Sequence, residues 1–169
     1  MRTTRSVGAV VALLAVVGLS PAAGASGSGQ EVPFKGVVSG EVEFLPATDC
    51  LTWGLATTMT DVPGVGSHLG RMTMSSRHCS PAGDDFGPGT MTFTAANGDE
   101  ILATYTGTAP FPGPGAEVIE GTSHATIVGG TGRFEGAEGH VDMTITLQFQ
   151  GFDDMSWPGT WVWTGMISY

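Results

Sequence analysis

From Phe34 onward, apolar and polar residues alternate at period two in one short stretch after another, the spacing of strands that bury one face. In Gly36–Phe44, Val38, Val42 and Phe44 fall on one side and Glu41 and Glu43 on the other. Leu51–Thr60 and His68–Arg77 read as two arms of a hairpin about a turn at Asp61–Ser67, with Met72 and Met74 sharing a face. Thr90–Ala95 places Met91, Phe93 and Ala95 inward. Asn97-Gly98 is a tight hairpin signal, and Glu100–Thr108 follows with Ile101, Ala103 and Tyr105 on one side. Val118–Val128 and His140–Phe149 are strands flanking a glycine-rich connection, and Thr160–Tyr169 closes the chain with Trp161 and Trp163. Pro81–Pro88, Pro110–Gly115 and the acidic Gly151–Trp157 read as loops. No segment carries the period of a long amphipathic helix.

The pattern predicts an all-β domain of eight strands joined in sequence by short connections. Such a sheet removes its edges by closing, so a single eight-stranded antiparallel β-barrel is expected, with a two-sheet β-sandwich as the alternative. Closure would pair the aromatic last strand with Gly36–Phe44. Glycines at Gly40, Gly54, Gly70, Gly107, Gly121 and Gly165 suit the bends of a small barrel.

The connection between the sixth and seventh strands packs five glycines into Gly129–Gly139. It is not a phosphate loop. Counted from Gly130, the third position is Gly132 but the sixth is Glu135, and no Gly-Lys-Ser/Thr follows. A strand-to-strand turn with one helical turn near Thr131–Phe134 fits better, with Phe134 tucked beneath and Arg133 either exposed or bonded to loop carbonyls. The run Gly129-Gly130-Thr131-Gly132-Arg133-Phe134, then Gly136-Ala137 and Gly139, resembles the signature of secreted β-barrels related to allene oxide cyclase and plant dirigent proteins. Pro33-Phe34-Lys35-Gly36 is similar too. The resemblance implies a barrel and a structural role for Gly129, Gly130, Gly132, Arg133, Phe134, Gly136 and Gly139. It implies no single reaction, because that group holds cyclases, stereochemistry-guiding binders and bacterial proteins without an assigned role.

The N-terminus changes the picture of where the domain begins. Arg2 and Arg5, the apolar run Val7–Leu19 and the small-x-small site Ala23-Gly24-Ala25 predict a signal peptide over 1–25. A flexible leader over 26–33 and a barrel domain over 34–169 follow. With Arg2 and Arg5 removed, four basic residues (Lys35, Arg71, Arg77 and Arg133) face sixteen acids, a formal charge of −12. That surface disfavours nucleic acid and anionic lipid, and no later run inserts in a membrane. The expected location is extracellular. Two cysteines suit that compartment. With the hairpin centred near residue 64, Cys50 falls opposite Cys79, and a disulfide closing about 30 residues predicts about 3–4 kcal/mol of stabilisation. A metal site from Cys50, Cys79 and His78 would lack a fourth ligand.

Candidate chemistry is sparse. His140 shares its strand face with Asp142, and His124 with Glu120; either pair has the composition of a general base, though both lie on polar, Thr-rich faces that suit solvent. No serine sits in a nucleophile elbow. Asp84-Asp85, Asp99-Glu100 and Asp153-Asp154 lack a calcium-loop spacing. No catalytic residue, metal site or cofactor is assigned. The inward face is richer in Met and aromatic side chains: Phe44, Met72, Met74, Met91, Phe93, Tyr105, Leu147, Phe149, Trp161 and Trp163. Of these, Met72, Met91, Phe93, Tyr105, Trp161 and Trp163 are the expected lumen contacts for a small apolar ligand, if the lumen is not simply packed. The leading expectation is a non-catalytic binder. The alternatives are an isomerase or cyclase using Glu120 or Asp142 at the lumen wall, and an envelope or matrix protein acting through its acidic surface.

Overall fold

A computed structural model describes residues 29–169; the expected signal peptide lies outside the described residues. Eight strands form a closed antiparallel barrel in sequence order: β1 (Val32–Pro46), β2 (Leu55–Gly66), β3 (Gly70–Cys79), β4 (Asp85–Ala95), β5 (Glu100–Thr108), β6 (Val118–Gly130), β7 (Glu138–Gln148) and β8 (Ser156–Ser168). The only helix among the described residues is a single 3-10 turn, Gly132–Phe134. The seam between β1 and β8 runs unbroken from Val32–Ile167 to Glu43–Ser156. This is the pairing that the aromatic C-terminal strand was expected to make, and it removes the last free edge.

Several boundaries differ from the sequence reading. The leader over 26–33 ends early, because Val32 and Pro33 already pair with Ile167 and Met166. β4 begins at Asp85 and β8 at Ser156, so Trp157 belongs to the wall and not to a loop. The largest correction concerns the first hairpin. No turn forms at Asp61–Ser67; β2 runs on to Gly66, and the reversal lies between Gly66 and Gly70. Asp61 has φ 49°, and the register shifts on both sides of it mark a bulge. Ser75 holds that bulge: its hydroxyl accepts from the Asp61 amide at 2.9 Å and donates to the Asp61 carboxylate at 3.1 Å. A bulge interrupts the ladder, so Pro63 beside it is tolerated within a strand.

The disulfide forms all the same, by another route. Cys79 pairs across the ladder with Ala56, and Cys50 is not in a strand. The β1–β2 loop folds back on itself, Ala47 N to Gly54 O at 2.8 Å and Gly54 N to Cys50 O at 2.9 Å. Cys50 is thereby brought to Cys79, with their Cα atoms 5.2 Å apart.

In an up-and-down barrel, connections alternate between the two ends. Here the connections 67–69, 96–99 and 131–137, shorter on average, gather at one end together with both ends of the described chain, and 47–54, 80–84, 109–117 and 149–155 gather at the other. The short-connection end is solid. Phe34, Phe93 and Trp163, all essentially without solvent contact, pack with ring centroids 5.1–6.0 Å apart. Gly36 allows this, since a β-carbon there would overlap the Trp163 indole. Over this cluster sits the glycine-rich connection. Gly132 (φ 57°) and Gly136 (φ 75°) supply backbone angles that a β-carbon penalises, and the turn between them drives Phe134 into the core at 0% exposure. Arg133 fastens the turn, donating to the His68 carbonyl at 2.8 Å with its guanidinium 3.8 Å from Asp99. The expected structural role of the connection therefore takes a specific form: it is the plug of the sealed end.

Candidate ligand cavity

The long-connection end is open. Between its loops lies a cavity of about 330 Å³ that reaches to mid-barrel, within the range of small-molecule sites. Its walls are apolar: Val42, Phe44, Met59, Met91, Ile119, Met143, Ile145, Trp157 and Trp161. Phe44 and Phe149 pack edge-on against Trp157, at 4.5 and 5.0 Å. Of the six expected lumen contacts, Met91, Tyr105 and Trp161 line this cavity. Met72, Phe93 and Trp163 do not; they belong to the sealed half. The reason is depth. All six face inward, but β3, β4 and β8 each place some inward residues near the plug and others near the mouth.

The mouth carries an apolar collar. Leu51 and Trp53 on one loop and Phe111, Phe152 and Met155 on two others are all exposed, and Phe111 stacks on Phe152 at 5.3 Å. One side of the mouth is stapled by three contacts: the disulfide, Trp53 Nε1 donating to the Pro81 carbonyl at 2.7 Å, and Arg77 donating to both Asp49 carboxylate oxygens at 2.7 and 2.8 Å. That guanidinium holds the Asp49 carboxyl below its ordinary value. Asp84 ties a second loop in, accepting from the Phe111 amide at 2.9 Å, while Asp154 accepts from the Ser156 amide at 3.0 Å. These acids, considered above as calcium ligands, cap loops. Among the described residues no group of three or more His, Cys, Asp or Glu is arranged to hold a metal ion.

A few polar side chains interrupt the apolar wall. β3 contributes Ser76 and His78, β5 contributes Tyr105, and β6 contributes Ser123. His78 Nδ1 and Tyr105 Oη share a hydrogen bond of 2.7 Å, and the imidazole stacks on Phe86 at 4.9 Å. Burial pushes His78 down to about 4. It pushes Tyr105 up to about 12, against a smaller opposing effect of a hydrogen bond from Ser76. Both groups are therefore neutral at pH 7. Thr57 and Ser80 satisfy each other at 2.9 Å. Ser123 is 6% exposed and its Oγ has no hydrogen-bond partner among the described residues.

Sequence reasoning placed His78 only as a metal-ligand candidate, and it passed over Ser76 and Ser123. The signal was present. The inward register that puts Met72 and Met74 inside continues to Ser76 and His78, and the register of Ile119, Ala125 and Ile127 includes Ser123. The other histidines lie elsewhere. His124 bonds Asp142 across the β6–β7 ladder at 2.8 Å, with 57% and 73% of the two side chains exposed, and His140 stacks on His124 at 6.1 Å. Glu120 and Asp142 both face solvent. Neither carboxylate is therefore at the lumen wall, which counts against a cyclase that would use one there.

Comparison with protein-family models, with curated proteins and with solved structures gives no significant match. The cavity has to be read from its own chemistry. Its walls suit an apolar body, its few polar groups can orient one, and its collar shields the entrance. Among the described residues no helix is long and apolar enough to cross a membrane.

Proposed function

We propose that this protein is an exported carrier or sensor that binds a small, mostly apolar molecule in the open half of its barrel. The observation that carries the reading is the asymmetry of the lumen. One half is packed shut by Phe34, Phe93, Phe134 and Trp163, whereas the other holds about 330 Å³ under an exposed aromatic collar. A barrel that needed only a core would fill both halves, since a void forfeits dispersion contacts. Export is supported by the disulfide and by the signal-like N-terminus.

The resemblance to allene oxide cyclase-like barrels keeps an isomerase or cyclase in view, and His78–Tyr105 is the ionisable pair at the wall. Burial favours the neutral form of each and moves their titrations away from pH 7 in opposite directions, to about 4 and about 12. A general acid or base works best with a pKa near the working pH. The pair is poorly matched to proton transfer at pH 7 but well suited to neutral hydrogen bonding, which favours binding over catalysis.

The test is a fluorescence titration with N-phenyl-1-naphthylamine, an uncharged probe that brightens in apolar surroundings. The wild type should show saturable enhancement. Ser76→Phe, which puts a ring into the cavity, should weaken it at least about tenfold while leaving the strand circular dichroism unchanged. No enhancement in the wild type, or equal enhancement in the variant, contradicts the reading; the second result would place the probe on the collar.

A further inference from the structure

The polar groups of the cavity say what kind of molecule it takes. Ser123 Oγ is buried, lines the cavity and lacks a partner among the described residues. A buried hydroxyl without a partner is costly, and such a group marks a place where something else supplies the bond. Ser123 pairs with Gly107, two residues beyond Tyr105 on the neighbouring strand, so it stands diagonal to Tyr105 on the inward face. Three strands round the barrel from it, His78 uses Nδ1 for Tyr105, and no hydrogen bond among the described residues engages Nε2. Either partner can donate in the His78–Tyr105 bond, so Nε2 can present a proton or a lone pair as its guest requires.

No positive charge faces the cavity. Its lining contains neither lysine nor arginine. The four basic residues of the described chain lie elsewhere: Arg77 on Asp49, Arg133 on His68 and Asp99, and Lys35 and Arg71 on the exterior. The one charged lining residue is Asp154, an acid. A carboxylate drawn into this space would lose its water without gaining a counter-charge. His78 could serve only by taking up a proton, which burial opposes by holding its value near 4. The acidic mouth adds repulsion. It would attract a cation, but a cationic head held at Asp154 would leave Ser123 deeper in the wall unpaired.

We infer that the ligand is an uncharged amphiphile, an apolar body bearing a hydroxyl or carbonyl oxygen that hydrogen-bonds Ser123 and His78, and that fatty-acid-type anions are excluded. This rests on the binding reading above and narrows it to one class.

Displacement of bound N-phenyl-1-naphthylamine at pH 7.5 tests the class with three probes of one chain length: 1-dodecanol, dodecanoate and dodecylammonium. The expected order has 1-dodecanol at least about tenfold tighter than either ion. Ser123→Ala should weaken 1-dodecanol roughly threefold to tenfold more than it weakens the fluorescent probe, the loss of one hydrogen bond. If dodecanoate or dodecylammonium displaces as well as 1-dodecanol, or if none of the three displaces, the inference is overturned and the binding reading stands. Unchanged 1-dodecanol affinity in Ser123→Ala removes the assigned contact and overturns it equally. Failure of the fluorescent probe to bind at all overturns both.

Discussion

His78 should make the protein acid-sensitive in a window set by its burial. An unfolded histidine takes its proton near 6.5, whereas in the barrel this one resists protonation to about 4. Between those values the unfolded state binds more protons than the folded state, so stability falls as pH falls. Above 6.5 the group contributes no pH dependence, and below about 4 the loss is complete. The shift corresponds to about 3 kcal/mol at about 1.4 kcal/mol per pH unit, or nearer 2 kcal/mol once solvent at the half-buried ring is allowed for. The perturbation is His78→Phe, which keeps the stacking area against Phe86 and removes the titration. Urea unfolding of both proteins at pH 7, 5.5 and 4 is the assay. Carboxylates such as Asp49 titrate in both proteins, and the comparison cancels them. The stability difference between wild type and variant should shift by about 2–3 kcal/mol in the variant's favour between pH 7 and pH 4. A difference constant to within about 0.5 kcal/mol would refute the burial argument.

Other consequences concern the two ends separately. Ser123→Ala removes an unpartnered buried hydroxyl and should raise stability by about 1 kcal/mol, read from the urea midpoint, even as it weakens ligand. Replacing Cys50 and Cys79 by serine opens a loop spanned by a sequence separation of 29 and should cost about 3–4 kcal/mol by thermal unfolding; proteolysis should then cut first in the 47–54 loop. Phe134→Ala leaves a hole in the plug and should cost about 3–5 kcal/mol, with N-phenyl-1-naphthylamine affinity unchanged wherever the variant remains folded.

The architecture was legible because a half-buried strand must alternate, and alternation survives in every wall segment from Val38 to Trp163. The glycine-rich connection was legible as a turn for a related reason: only a backbone with positive φ spends glycines at Gly132 and Gly136. Two things were not. Asp61-Val62-Pro63-Gly64 has the composition of a turn, but a bulge uses the same residues, and only the Ser75 contact from the next strand decides between them. Depth along the barrel was hidden as well. Period two tells inside from outside and says nothing of near or far, so Phe93 and Met91 looked equivalent although one seals the lumen and the other faces the cavity. The polar lining was readable in principle. Following the inward register of β3 past Met74 reaches Ser76 and His78, and doing the same on β6 reaches Ser123. The His124, His140 and Asp142 group has the richer acid-base composition, but its register points it at water.

Whether the open half of the barrel holds a guest is read by native mass spectrometry of the oxidised protein, once as purified from its native source and once after incubation with 1-dodecanol. A small-molecule adduct is expected in at least the second preparation, lost on denaturation and lost in Ser76→Phe. A bare protein mass in both preparations would contradict it, and would move the search for function from the cavity to the acidic exterior.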